Sequence, residues 1–410
     1  MSTDESTADS AFRAEAQAWL EANARRRSGD ADDWSRFHFS GDPSPEADAE
    51  HVRQCQEWQR TLYDAGWAGI AWPQEYGGRG GTPAQARVFA REQARFDVDT
   101  GVFAVGIGMV GPTLMSHGTA EQKDRYLRPM LRGDEVWCQL FSEPGAGSDL
   151  AGLRTRAVRD GDEWVVNGQK VWSSGAHHSD LGILLARTNP DAPKHRGITY
   201  FVLDMHSPGV EIRPLRQING VAHFNEVFFT DVRIPHENVV GEVDGGWAVA
   251  HTTLANERSL IGGGTAIGFR DFLRLAQDHG RVADPLLRQR LAAAFIRFEV
   301  IKYLGLRAQA AARRGGAPGP ETSVLKLAVS RHVALNGDLA LALEGPAGAL
   351  LHDDAPYGGF WQQQFLGQWG VRIGGGTDQV QRNVIGERVL GLPAEPRPDK
   401  TLPFRELVES

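Results

Sequence analysis

The feature that most constrains this chain is a double change of hydrophobic period. Up to about residue 135 apolar residues recur at helical spacing, as in Phe12, Ala16, Trp19 and Leu20 and again over 54–63. From Val136 the pattern alternates, and 163–172, 181–187, 197–205, 209–215 and 224–234 read as strands separated by turn residues. At Gly245-Gly246 it reverts. Trp247, Ala250, Leu254 and Ile261 share one helical face, and 286–306, 324–343 and 377–389 read as further helices. Strands with no helices between them pair antiparallel. The pattern predicts an α+β multidomain chain: an N-terminal helical domain over 1–135, a middle antiparallel β-barrel or sandwich over 136–243, and a C-terminal helical bundle over 244–410.

Composition sets outer limits. The chain has 410 residues, enough for two to three domains with ample core. Its net charge of −8, without a long basic run, argues against a nucleic-acid surface. Its two cysteines, Cys55 and Cys138, form neither a disulfide framework nor a metal-ligand spacing. The first ten residues are acidic and polar, unlike a signal peptide, and no apolar run approaches the ~20 residues that cross a bilayer. A cytoplasmic protein without a membrane span or metal is expected, with mobile ends and a mobile stretch over 27–47.

Two stretches carry polar chemistry. Phe141-Ser142-Glu143-Pro144-Gly145-Ala146-Gly147-Ser148-Asp149 is a tight Gly/Pro loop that offers hydroxyls and a carboxylate. Val165 to Ser174 reads as a hairpin turning at Asn167-Gly168, which sets the Trp172 indole beside Ser173 and Ser174. An indole beside hydroxyls suits a flat aromatic ligand with a polar edge; an ordinary β-domain has the same pattern. Thr119 to Gln122 reads as a capping box. Gly106-Ile107-Gly108-Met109-Val110-Gly111 satisfies G-x-G-x-x-G, but no βαβ unit surrounds it, so close helix packing is the better account.

These stretches resemble the acyl-CoA dehydrogenase family of flavoproteins. Gly66-Trp67-Ala68-Gly69 with 73–78, His117 to Lys123, Glu143 to Asp149, Asn167 to Trp172, and Gly376-Thr377-Asp378-Gln379-Val380-Gln381-Arg382 match its pattern in order. The resemblance covers about residues 10–395, and it makes the Gly106–Gly111 segment helical. It implies FAD as cofactor, an acyl-CoA or carrier-bound acyl thioester as substrate, and an electron-transfer flavoprotein as reoxidant. It further implies a homo-oligomer, tetramer or dimer, with a hetero-oligomer as the alternative. By residue-wise resemblance, Gln139, Phe141 and Ser142 line the flavin ring, and Ser148 touches cofactor or substrate. Trp172 stacks on the isoalloxazine and Ser174 lies near its reactive nitrogen. Gly345 and Gly348 pass the adenine, while Thr377 and Gln379 reach the ribityl, diphosphate or adenosine part. Arg258 and Gly375 are assigned to the substrate. His177 and His178 either reach the CoA diphosphate or are solvated.

The catalytic carboxylate is where the chain departs from the common pattern. The family often carries its base immediately before the C-terminal Gly-Thr, where this chain has Gly375. The Glu257-Arg258 pair instead resembles the helix on which isovaleryl- and long-chain acyl-CoA dehydrogenases carry theirs. At about 100° per residue Glu257 falls near Trp247, Ala250 and Leu254. A carboxylate on an apolar face is either catalytic or held in a structural ion pair. The family's arginine and phenylalanine upstream of Gly280 are also missing, with Arg281 the nearest substitute. A catalytically silent subunit of a hetero-oligomer and a flavin monooxygenase of the same fold stand as alternatives.

Overall fold

The computed structural model describes residues 7–27, 45–261, 267–313, 319, 322–351 and 354–408. Among the described residues, five α-helices come first: α1 (Thr7–Asn23), α2 (Pro45–Asp64), α3 (Pro83–Gln93), α4 (Gly111–His117) and α5 (Ala120–Arg132). The predicted face of α1 points inward. Ala16 and Leu20 are fully buried, and Phe12 meets Trp67 edge-on at 5.6 Å. Trp67 in turn stacks on Phe89 of α3 at 4.9 Å. Most of the stretch expected to be mobile, over 27–47, lies outside the described residues.

Thr119 caps α5 as expected. Its hydroxyl accepts the Gln122 amide at 3.2 Å, and its own N–H donates to Gln122 Oε1 at 3.1 Å. Gln122 also donates to the Glu237 and Val239 carbonyls at 2.7 and 2.8 Å, so the cap ties the helices to the sheet. Gly106–Val110 is a π-helical turn leading into α4. A Cβ on Gly111 would lie 2.3 Å from the Trp72 ring, and one on Gly106 would lie 3.3 Å from Met130 and Trp137. Close helix packing is therefore what these glycines serve.

The middle of the chain is one curled seven-stranded sheet: β1 (Trp137–Leu140), β2 (Arg156–Asp160), β3 (Glu163–Ser174), β4 (Leu181–Arg187), β5 (Ile198–Asp204), β6 (Val210–Leu215) and β7 (Phe224–Pro235). The order is β1-β4-β2-β3-β7-β6, with β5 on β4. Most ladders are antiparallel. β1 however runs parallel to β4, and β2 meets β4 in one parallel bridge, Arg156 to Arg187. The chain returns from β1 to β4 by way of a whole hairpin, so both strands keep one direction. β4 and β5 are covered on both faces. Ile183, Leu185, Tyr200 and Val202 pack toward the helices, while Leu184, Ala186, Phe201 and Leu203 fill the sheet's own interior.

The expected hairpin at Asn167-Gly168 is absent. β3 continues through it, paired with β7, with a register shift between Val166 and Gly168. The Asn167 side chain is spent across the sheet instead: Oδ1 accepts the Asp231 amide at 3.0 Å and Nδ2 donates to Asp231 Oδ1 at 2.9 Å. Gly168 serves close approach, since a Cβ there would strike Thr155 at 2.6–2.8 Å. The true turn is Gly161-Asp162, between Asp160 and its partner Glu163.

The chain then becomes helical again: α6 (Gly246–Ile261), α7 (Phe269–Asp278), α8 (Pro285–Arg313), α9 (Thr322–Glu344), α10 (Phe360–Ile373), α11 (Asp378–Val384) and α12 (Phe404–Val408). Phe272, Leu275, Leu291, Leu339, Leu343 and Trp361 form the core of this bundle. The tail returns to the sheet. Phe404 donates its amide to the Ala192 carbonyl at 3.0 Å, its ring lies 3.8 Å from the Arg187 guanidinium, and Asp399 meets Lys194 at 2.5 Å. Cys55 and Cys138 are free and buried. No helix among the described residues is long and apolar enough to cross a membrane.

Candidate active site

The loop after β1 is held by a buried ion pair. Lys170, on β3, donates to Glu143 Oε1 at 2.8 Å and to the Phe141 carbonyl at 2.9 Å. The Arg154 and Thr155 amides complete the Glu143 carboxylate at 2.6 and 2.9 Å. Burial alone would raise the Glu143 carboxyl; Lys170 and these donors outweigh it and hold the group below the usual range. Burial drives Lys170 down to about 8 despite Glu143. Both residues sat in the motifs, but their pairing was not anticipated. A lysine inside an alternating apolar strand was the available signal.

This pair fixes one rim of the sheet. Gln139 is half-buried in β1 opposite Ile183, and Phe141 meets Tyr200 edge-on at 5.9 Å. The half-buried Ser142 accepts the Val171 amide on its carbonyl at 2.9 Å, while Ser148 and Ser174 face solvent. Trp172 has φ +62°, left-handed backbone that a bulky residue rarely adopts, and its indole is 58 % exposed. Strain of this kind costs of order 1–3 kcal/mol and concentrates at functional sites. The register shift between Lys170 and Ser173 accommodates it. An exposed indole with two hydroxyl groups and a glutamine amide on the same rim fits a flat aromatic group with a polar edge, as a flavin requires.

The rim is joined to α6 through Tyr200. Its hydroxyl lies 3.1 Å from that of Thr253, and Thr253 lies 3.0 Å from the Thr113 hydroxyl on α4. Gly246 opens α6 against β5, where a Cβ would lie 2.6 Å from the Tyr200 amide nitrogen. Ala250 and Thr253 are fully buried on this inward face. Glu257 follows Thr253 by one turn and is half-buried. The side chain of Arg258 lies outside the described residues.

The remaining predicted residues belong to the C-terminal bundle. Gly374 to Gly376 link α10 to α11, with φ +62° at Gly375 and +87° at Gly376. The Gln381 amide holds this link, donating to the Gly375 and Gly376 carbonyls at 3.1 and 3.3 Å. Thr377 caps α11 by accepting the Val380 amide at 3.1 Å, and Gln379 is exposed on its first turn. Gly345 and Gly348 lie in a 3-10 turn after α9. Gly345 has φ +63°, and a Cβ on it would lie 2.5 Å from the Arg281 guanidinium. Arg281 therefore stands beside the turn predicted to pass the adenine.

A helical domain, a curled sheet with a strained, exposed tryptophan on its rim, and a second helical bundle together define a class of three-domain flavoenzymes. Within that class, the family models for the N-terminal, middle and C-terminal domains of acyl-CoA dehydrogenases match residues 6–134, 138–232 and 244–390. The chain belongs to the acyl-CoA dehydrogenase family, and this membership implies a flavin cofactor. It is 39% identical to acyl-CoA dehydrogenase IpdE1 of Mycobacterium tuberculosis, over 94% of this chain and 98% of that one. It is 43% identical to acyl-CoA dehydrogenase FadE34 of the same organism over 82% of this chain, which spans only 46% of that longer relative. Among solved structures it resembles one described as Tcur3481-Tcur3483 steroid ACAD, with a TM-score of 0.79 and 30% identity, over 96% of this chain and 100% of that one.

Proposed function

We propose that this protein is an FAD-dependent acyl-CoA dehydrogenase in which Glu257 removes the proton next to the thioester carbonyl. The observation that carries this reading is the position of Glu257, one turn beyond the buried Thr253 on the face of α6 that the sheet rim meets through Tyr200. The step needs a carboxylate held out of bulk water, and Glu257 is half-buried. Gly375 supplies no side chain but keeps its backbone N–H, which suits it to polarising the carbonyl oxygen as the enolate charge develops. FAD, when bound, accepts the hydride from the adjacent carbon. Gln139, Phe141, Ser142, Ser148, Trp172 and Ser174 would hold its ring, and Thr377, Gln379, Gly345 and Gly348 its remaining parts.

On this reading the domains run 1–135, 136–243 and 244–410, FAD lies between the last two, and an electron-transfer flavoprotein reoxidises it in the cytoplasm. Gly375 projects no side chain where the family often carries a glutamate, which suits a bulky acyl group and is in keeping with the steroid description of one structural relative. Gly375 and the missing arginine upstream of Gly280 favour a second reading, a subunit that completes an unlike partner. The double name of that same relative points the same way.

An anaerobic flavin titration separates the two. The FAD-loaded protein is mixed with straight, branched and ring-bearing acyl-CoAs while flavin absorbance is followed, with Glu257→Gln alongside. Bleaching in the parent, with loss of at least about a hundredfold in rate in the variant, is the expected outcome. Equal bleaching in both places the base elsewhere, and FAD that no acyl-CoA bleaches supports the partner-subunit reading.

A further inference from the structure

Away from the flavin rim, three side chains from two domains converge on one point. Asp48 lies in the first turns of α2, and His177 and His178 lie in the 3-10 turn Ala176–His178 that follows β3. Asp48 Oδ2 is 3.1 Å from His177 Nε2 and 3.2 Å from His178 Nδ1. The two imidazole rings meet edge to face at 4.5 Å. We propose that Asp48, His177 and His178 form a binding site for one divalent transition-metal ion of the zinc class, independent of the flavin chemistry above.

The hydrogen bonds behind the site orient one of its imidazoles. Asn225 is fully buried, and its Nδ2 donates to the Ser173 and His223 carbonyls at 2.9 and 3.3 Å. Those two acceptors fix the amide orientation, so Oδ1 is what faces His177 Nδ1 at 3.2 Å. His177 Nδ1 must then carry a proton and donate it. With Nδ1 committed to Asn225, Nε2 is the ring nitrogen that His177 presents beside Asp48 Oδ2, and it is the atom open to a metal ion. A carbonyl-type oxygen on the far nitrogen is also the usual way a metal-bound histidine is oriented.

Geometry and donor type agree. Nitrogen and oxygen ligands at about 2.0–2.2 Å from a tetrahedral zinc ion stand about 3.3 Å from one another. The observed Nε2 to Oδ2 and Nδ1 to Oδ2 separations are within 0.2 Å of that, and all three ligand atoms lie within 4.8 Å of one another. Two imidazoles and one carboxylate select Zn²⁺, Ni²⁺ or Co²⁺ over Mg²⁺ or Ca²⁺, and leave the fourth position to water. Sequence spacing concealed the site because Asp48 is 129 residues from His177. An ion there would clamp α2 onto the segment that follows Trp172 and Ser174.

The test uses the full chain, stripped with a chelator and titrated with Co²⁺ and Zn²⁺. The expected result is one equivalent bound, visible d–d bands of tetrahedral Co²⁺ with nitrogen and oxygen ligands, and a rise in Tm with Zn²⁺. Asp48→Asn, His177→Gln and His178→Gln should each weaken binding by at least about 10–100-fold, the loss seen for outer-shell partners alone. His206→Ala, an exposed histidine elsewhere, should change nothing. Far-ultraviolet circular dichroism of the metal-free variants checks folding, and three independent ligand variants guard against one that does not fold. Absence of tetrahedral Co²⁺ bands in the parent, or equal binding by parent and the folded ligand variants, overturns the proposal.

Discussion

Lys170 has no solvent to fall back on. Its ammonium is held by one carboxylate and one carbonyl, and both come from the loop that carries Phe141 to Asp149. Removing one member of a buried pair strands the other charge, which costs about 3–5 kcal/mol. Lys170→Met should lower stability by that order in urea melts and loosen flavin retention, because the Ser142–Val171 contact rests on the same loop. The double variant Lys170→Met/Glu143→Gln should recover part of the loss, since no unpaired charge remains. Additive losses would mean that the pair acts as two separate contacts.

At the scale of one element, α9 carries two buried groups that titrate in opposite senses. Burial, helped by Arg297, lowers His332 to about 4. Burial raises Glu344 to about 7, only partly offset by the Gln362 amide. Between about 4 and 6.5 the unfolded chain binds the His332 proton and the folded chain does not, so this residue makes stability rise with pH. Between about 4.5 and 7 the folded chain holds the Glu344 proton and the unfolded chain has lost it, so this residue makes stability fall with pH. The two slopes, each up to about 1.4 kcal/mol per pH unit, cancel where the ranges overlap. Glu344→Gln should expose a bundle that weakens on acidification, and His332→Gln one that strengthens toward pH 5. Urea unfolding as a function of pH reads both, and unchanged slopes would refute the assignment. α9 itself was legible from its period. α7 and α10 were not anticipated, although Phe272, Leu275 and Ala276 share a face of α7. In α10, Gly367 and Gly370 with a run of glutamines blur the apolar stripe.

At the scale of the whole molecule, the tail is a strap across the sheet domain. Arg187 is buried, donating to the Lys194 and Ala151 carbonyls at 2.7 and 2.6 Å, and Phe404 covers its guanidinium. A chain ending at residue 397 loses Phe404, the Asp399 partner of Lys194 and the Arg405–Asp191 contact. It should unfold several degrees lower, with faster amide exchange confined to β4 and the 190–194 loop. Exchange that is unchanged there, or raised evenly over the molecule, would show that the strap contributes nothing local.

The hydrophobic period determined three domains, five of the seven strands and the Thr119 cap, because these depend on residues within a few positions of each other; β1 and β2, four and five residues long, were too short to show an alternation. Ordered motifs carried the family and the candidate residues Trp172 and Thr377, and the resemblance of the Glu257-Arg258 pair carried Glu257. Tertiary structure alone decided what those residues touch. Gly168 became a point of close approach and not a turn because Thr155 lies against it. Trp172 took a left-handed backbone because the strand slips between Lys170 and Ser173. Lys170 met Glu143, Tyr200 met Thr253, and Asp48 met two histidines across long spans of sequence. Such contacts are fixed by which faces pack together, and that is settled by burial summed over the whole core, not by any local pattern.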